Sequence, residues 1–398
     1  MEMQRRETGG LAIVVAAAAC LAIAMGIGRF SYTSILPLMI SEKALDLGFG
    51  GTLASVNYAG YLVGALGCMW IPNHHSSARL VRWGLVLTVL ATAAMVIADW
   101  RLWLGLRFVS GVVSAVALVH AARWCMGALS RRGQGAFGSA MFMGVGLGIA
   151  VSGLVATGMI AAHWNWRAAW SGFAVVGLAL TALVWRIVDP KAEVTAAPRP
   201  KGSVPSAAAP VAGLQLPVFI LAYGIAGFGY IITATYLPVI ARAALPPSVW
   251  LDLFWPIYGV AAAAGSLLVT RIAGLGSPRA LLVGCHLMQG AGVALATVWP
   301  SLPGFVLGSV LAGLPFTAIN FLAMDDAHRL QPHRPAQFIG LLTAAFAIGQ
   351  ILGPPLVQLV MHHTTDMNTG FDISLRIAAG TLWIGAGLYL FLMRRYPG

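Results

Sequence analysis

LAIVVAAAACLAIAMGIGRFSYTSILPLMI, residues 11–40, carries a single charge, Arg29, and its one proline, Pro37, stands near the end. A helix crosses the hydrocarbon core of a bilayer in about 20 apolar residues, and within lipid its backbone groups must be bonded inside the segment. This stretch satisfies both conditions. Arg5-Arg6 ahead of it imitates the start of a secretory signal, and Ala17-Ala18-Ala19-Cys20 imitates a lipoprotein cleavage site. The apolar run nonetheless exceeds the roughly 7–15 residues of a signal core, and more membrane helix follows it. We read it as an uncleaved first span.

Extended outward, the same reading divides the chain of 398 residues into twelve spans. They fall at 11–36, 50–71, 80–98, 102–122, 136–160 and 167–187, then at 216–240, 250–272, 280–299, 303–324, 337–360 and 373–393. Only 9% of the residues are charged and 59% are hydrophobic, against about 25% charged in a soluble domain, so no polar shell can be built. The polar stretch from Asp189 to Gln215 has no hydrophobic period and is rich in Pro, Ala, Lys and Arg. It reads as a flexible linker. The expected organisation is an all-α membrane protein of twelve transmembrane helices in two pseudo-symmetric six-helix bundles, 1–187 and 216–398, joined by a cytoplasmic linker, 188–215.

The formal net charge of +12 points to membrane orientation rather than nucleic acid, because the basic residues lie in short clusters between apolar runs. With the N-terminus inside, 17 Lys and Arg residues face the cytoplasm and 5 face outward. That asymmetry predicts a bacterial inner-membrane protein with both termini cytoplasmic. Trp100, Trp103, Trp164 and Trp299, near span ends, read as interfacial anchors. Cys20, Cys68, Cys125 and Cys285 are far apart within apolar runs and suggest neither a disulfide framework nor a zinc site. His74-His75 and His362-His363 make no convincing metal site, and His286 reads as a packed histidine. Gly144-x-Gly146-x-Gly148 follows no strand and reads as close helix packing. No Walker sequence and no nucleophile–base arrangement stands out, so neither an enzyme nor a cofactor is expected.

The halves resemble each other at an offset near 200. Leu36-Pro37 answers to Leu237-Pro238, Tyr58 to Tyr258, Ser77-Ala78-Arg79 to Ser277-Pro278-Arg279, Arg132 to Arg334, and Gly144-x-x-x-Gly148 to Gly349-x-x-x-Gly353. Internal repeats facing each other across a midplane site are a transporter pattern.

Gly26-Ile27-Gly28-Arg29-Phe30-Ser31-Tyr32, Arg107-x-x-x-Gly111, Trp166-Arg167-Ala168-Ala169-Trp170 and Gly349-Gln350-Ile351-Leu352-Gly353-Pro354 together resemble the major facilitator superfamily, in its YbfB/YjiJ-type branch. The resemblance implies alternating access around a central site and coupling to a proton gradient. Two departures stand out. The loop Trp70–Arg79 keeps the basic end of the usual signature and lacks its acid, and Gly-Pro occurs in span eleven instead of span five.

Arginine at the centre of a membrane helix costs about 2.5–3.5 kcal/mol on insertion scales, so Arg29 and Arg107 are functional candidates by default. If both line the cavity, two guanidinium forks converge on a carboxylate, sulfonate or phosphate. Against this, Arg107 can clamp backbone carbonyls of span one, and Arg29 can snorkel to the interface. All twelve acidic residues lie at ends, loops or termini. Asp325, together with Arg107, is the candidate for coupling; its alternative is a solvated helix-end charge near Arg329. Tyr32, Asn57, Tyr58, Tyr230, Trp255, Tyr258, Asn320 and Gln350 can orient a solute in a mostly apolar pocket, or form interhelical bonds without touching substrate. The expected activity is secondary active transport of a small organic anion, with the protein a monomer. The alternatives are an exporter of amphiphilic or cationic drug-like compounds and a non-transporting membrane receptor.

Overall fold

The structure, a computed structural model, describes residues 2–70, 75–189, 213–273, 276–330 and 335–396. Most of the predicted linker, part of the loop after the second span, and Arg334 lie outside the described residues. Every regular element among the described residues is helical. α1 runs through three pieces, an α-helix over Glu2–Leu21, a π-helix over Ala22–Phe30 and an α-helix over Ser31–Ser41. It is followed by α2 (Leu47–Gly67), α3 (Ser77–Ala94), α4 (Trp100–Ser130), α5 (Met143–Ala161) and α6 (Trp166–Trp185). The second half comprises α7 (Gln215–Ala244), α8 (Phe254–Ile272), α9 (Pro278–Val298), α10 (Leu302–Leu330), α11 (Pro335–His362) and α12 (Met367–Arg395). The start of the predicted fifth span is a 3-10 segment, Gly135–Phe142.

Eleven of the described helical spans are long and apolar enough to cross a bilayer. α2, at 21 residues, has the length but is rich in glycine and carries Asn57, Tyr58 and Tyr61. It is wedged between α4 and α11, where small and polar residues meet protein instead of lipid. Acidic and amide side chains open several helices: Asp46 caps α2 at 2.7 Å, Asp99 caps α4, Asn165 caps α6 and Asp366 caps α12. Each accepts a bond from an otherwise orphaned first-turn N–H. The three aspartates are among the acids that the sequence pattern puts at span ends; capping is why they stand there.

The packing of the first six helices recurs in the second six. α1 packs on α5, α2 on α4, and α3 on α4 and α6; correspondingly α7 packs on α11, α8 on α10, and α9 on α10 and α12. The bundles meet through α1 with α7, α2 with α11, and α5 with α8. Close approaches give the register of the repeat. A Cβ on Gly26 would stand 2.5 Å from the Gly148 backbone, and one on Gly349 would stand 2.2 Å from the Gly224 carbonyl. Gly227 meets the backbone of Phe346. These contacts match Gly26 with Gly227 and Gly148 with Gly349, an offset of 201, so the sequence pairing of the two Gly-x-x-x-Gly runs is one helical turn out. Likewise Gly111 lies against the Asn57 carbonyl and Gly313 against the Tyr258 carbonyl, which pairs Tyr258 with Asn57 instead of Tyr58. Glycines spaced by four look alike in sequence; only the facing backbone distinguishes them.

Gly144→Ala tests this packing. Its Cβ would stand 2.1 Å from the Ala18 carbonyl oxygen, and overpacking of this kind costs about 1–3 kcal/mol. The variant should melt at lower temperature in detergent, whereas Gly158→Ala, which meets no atom within 4 Å, should melt like the parent. Equal melting of both would remove the close-packing account.

Candidate functional site

The π-helix of α1 lies against α4. At its end the Ser31 N–H bonds to the Gly26 carbonyl, five residues back. A π turn departs from the α pattern of bonding, and each carbonyl it turns outward needs a donor in lipid. Ser31 supplies one through its hydroxyl, which donates to the Ile27 carbonyl at 2.6 Å. α4 supplies the others. Ser110 donates to the Gly28 carbonyl, Arg107 Nη1 donates to the same oxygen at 3.3 Å, and Arg107 Nη2 donates to the Arg29 carbonyl at 3.4 Å. The Arg107 guanidinium also lies 4.5 Å from the Tyr32 ring centre. Both terminal nitrogens of Arg107 are therefore occupied by backbone, the clamp arrangement weighed from the sequence.

Arg29 is different. It is 3% exposed, and its Nε and Nη2 have no hydrogen-bond partner. Its guanidinium stands 4.7 Å from the Tyr58 ring centre, 4.6 Å from that of Tyr61 and 5.4 Å from that of Phe30. It therefore points into aromatic faces of the core and does not snorkel. Among the described residues, ion pairs join Arg242 to Asp252, Arg279 to Asp326, Arg329 to Asp325 and Arg376 to Asp372. Neither Arg29 nor Arg107 takes part. Aromatic rings relieve a buried cation in part, by about 2 kcal/mol or more when desolvated, but they supply no acceptor for its N–H groups.

Around Arg29 the second bundle contributes Tyr230 and Gln350. Gln350 Nε2 donates to the Tyr230 hydroxyl, leaving Gln350 Oε1 unpartnered. The Arg29 charge acts on the hydroxyls of Tyr58, Tyr61 and Tyr230. In the register above, Tyr230 is the repeat counterpart of Arg29, 201 positions on. Next to them is an aromatic cluster. Phe30 lies 5.8 Å from Trp255 and 6.2 Å from Phe316, and Phe316 lies 4.9 Å from Tyr230 and 5.8 Å from Tyr258. Trp255 stacks on Tyr258 at 5.1 Å, and both the Trp255 indole N–H and the Tyr258 hydroxyl lack partners.

The other predicted residues have these partners. Asn57 Nδ2 donates to the Arg107 carbonyl at 2.9 Å and so ties α2 to α4. Tyr32 donates to the Gly50 carbonyl at 2.8 Å. Asn320 Nδ2 donates to the Phe316 carbonyl at 3.0 Å, and its Oδ1 accepts from Tyr223. Asp325 is partly exposed and bonds to Arg329 one turn on at 2.8 Å, the solvated helix-end arrangement. Its neighbour Asp326 is buried, 2.9 Å from Arg279 Nε, and Arg279 Nη1 donates to the Leu392 carbonyl of α12. His286 bonds to the Leu282 carbonyl of its own helix at 2.8 Å. Trp103, read as an interfacial anchor, is buried and donates to the Met95 carbonyl at 3.0 Å. Trp100, Trp164 and Trp299 are exposed.

Sequence reasoning missed Tyr61, Phe316 and Phe346, whose ring stacks on Tyr230 at 5.6 Å. A phenylalanine in a membrane span carries no polar signature. Tyr61 lies one residue beyond Gly60 and three beyond Tyr58 on α2, so helical spacing from Tyr58 was the available signal.

On the face away from the termini, the bundles are tied by side chains. Thr33 donates to the Ala234 carbonyl at 2.8 Å, Gln358 Nε2 to the Gly48 carbonyl at 2.6 Å, and Thr157 to the Asp252 carbonyl at 3.3 Å. Tyr58 and Thr235 share a hydroxyl–hydroxyl bond of 2.8 Å. Residues 21–390, nearly the whole described core, match the family model described as "Uncharacterised MFS-type transporter YbfB". The chain belongs to this family. This YbfB-type transporter is 25% identical over 384 residues to the uncharacterized MFS-type transporter YE1530 of Yersinia enterocolitica, covering 92% of this chain and 91% of that one. Its fold is that of the nucleoside transporter NupG, with TM-score 0.71, 13% identity, and coverage of 96% and 99% of the two chains. It is also that of a bacterial homologue of the human lysosomal transporter Spinster in an inward-facing, unoccupied conformation, with TM-score 0.70, 14% identity, and coverage of 98% and 97%. The YbfB-type chain is thus a multi-pass membrane transporter of the major facilitator fold, as the sequence motifs implied, and not an enzyme.

Proposed function

We propose that this chain is a secondary active transporter of a small, carboxylate-like organic anion. The observation that carries the reading is Arg29: a buried cation at the junction of the bundles, with two unpartnered N–H-bearing nitrogens and no carboxylate in an ion pair with it among the described residues. A carboxylate supplies what the rings cannot, namely two acceptor oxygens and a compensating charge. Arg29 belongs to α1 and Tyr230 to α7, so an anion held between them would be gripped by both bundles at once. That grip links binding to rocking of residues 1–187 against 216–398 about the 188–215 linker, the motion of alternating access. Arg107 supports the reading as the brace that holds the π-segment, and through it Arg29, in place.

The proton gradient is proposed as the driving force on family likeness. Asp325, the residue first assigned to coupling, would act there only from its solvated helix end. The 17 to 5 distribution of basic residues supports a bacterial plasma membrane with both termini in the cytoplasm. A monomer suffices, since both bundles come from one chain. Protein reconstituted in proteoliposomes should move a carboxylate but not the matching amine, and a proton gradient should drive accumulation. Flux of the amine without the carboxylate would favour an exporter of cationic compounds. Saturable binding without flux of either would favour a receptor.

A further inference from the structure

The site's charge and its aromatic walls together describe a narrower ligand. We propose that this site takes a monoanion with a flat aromatic body, an inference that rests on the anion reading above. Two observations carry it, one for charge and one for shape.

Charge comes first. Of the two arginines in the core, Arg107 has both terminal nitrogens on the Gly28 and Arg29 carbonyls and only its Nε unpartnered. Arg29 is therefore the one with an adjacent pair of open nitrogens, Nε and Nη2, to match the two oxygens of a carboxylate. One carboxylate takes up the N–H fork that Arg29 leaves open. A second carboxylate would find no free fork, since the Arg107 terminal nitrogens are already bonded, and would lie desolvated against rings.

Shape follows from which rings meet across the bundles. Phe30 of α1 meets Trp255 of α8 and Phe316 of α10, and these contacts separate when the bundles part. The freed surfaces are ring faces and edges, spaced for a further ring, because aromatic groups favour offset and edge-to-face partners about 4.5–7 Å apart. A flat aromatic body seated between Phe30 and Phe316 would restore both sets of contacts. The unpartnered Trp255 indole N–H and Tyr258 hydroxyl offer donors along the same wall for a ring substituent.

The test uses the full-length protein in detergent and five probes at millimolar concentration: phenylacetate, butyrate, isophthalate, phenylacetamide and phenethylamine. The readout is ligand-induced thermal stabilisation, titrated to give relative affinities. Phenylacetate should bind about tenfold or more tighter than butyrate, from ring contacts of ordinary strength. It should also bind tighter than isophthalate. Phe316→Leu should erase the preference over butyrate while keeping discrimination against phenylacetamide, and Arg29→Gln should erase the discrimination against phenylacetamide. Isophthalate binding as tightly as phenylacetate overturns the single-carboxylate argument, and butyrate binding as tightly overturns the aromatic one; in both cases the anion reading survives. Phenethylamine or phenylacetamide binding while no anion does would sink the anion reading itself. No stabilisation by any of the five overturns the proposal for aromatic monoanions.

Discussion

Arg29→Gln is expected to lower carboxylate uptake by roughly 100-fold in kcat/KM while leaving the melting temperature of the empty protein unchanged or higher. Removing one partner of a buried, hydrogen-bonded charge pair costs about 2–5 kcal/mol of binding, and a 100-fold loss, about 2.7 kcal/mol, lies in the lower part of that range. The stability side has the opposite sign. In the empty protein Arg29 is 3% exposed, with two nitrogens unpartnered and no ion-pair partner among the described residues. Replacing it with a neutral amide removes a desolvated charge and leaves Tyr58 and Tyr61 to pack against the shorter side chain. A loss of function without loss of stability is the signature of a group maintained for its ligand. Uptake in proteoliposomes and a thermal melt of the same preparation decide the matter. Intact uptake removes Arg29 from the site, and a collapse in melting temperature makes it a structural residue.

Arg107→Met should behave in the contrary way, losing stability and transport together. The substitution withdraws both guanidinium donors from the π-segment. Gly28 keeps its bond from Ser110, but the Arg29 carbonyl loses the Arg107 donor it has now. A hydrogen bond from a charged donor contributes about 1.5–3 kcal/mol, and the Arg29 side chain, mounted on that same residue, loses its fixed bearing. Arg107→Lys should recover part of the stability, because an ammonium can reach one carbonyl but cannot fork across two. If Arg107→Met melts like the parent and only substrate binding is lost, Arg107 holds the substrate directly and the clamp is incidental.

Much of this architecture was legible in residue order. Twelve apolar runs, prolines at matching places in the first and seventh spans, and acids confined to span ends follow from what lipid permits, and lipid is a severe and uniform solvent. The repeat was visible, but its register was not: Gly144, Gly148, Gly349 and Gly353 recur every four residues, and small residues in a membrane helix look alike until the opposing backbone is known. Arg29 and Arg107 stood out because charge in a span is costly. Their division of labour did not, because whether a guanidinium meets a carbonyl or an open acceptor position depends on the bonding of α1, and π and α turns share one hydrophobic pattern. An amide in lipid needs a partner, which is why Asn320 and Gln350 stood out; Asn320 accepts from Tyr223 and Gln350 donates to Tyr230, both of α7. Phe316 was invisible, since it carries nothing but surface.

The wide turn of α1 has a consequence for how the chain tolerates change in length. Between Ala22 and Phe30 the backbone loops with bonds that skip one residue more than usual, so this segment behaves as though a single amino acid had been inserted into an ordinary helix. Deleting one residue there would let the coil relax to regular winding while the turns on either side keep the faces they present now. The loss would fall on the wide turn itself, where Arg29 would give up the bearing it holds against Tyr58 and Tyr61, whereas a deletion in the regular helix on either side would swing everything beyond it by about 100°.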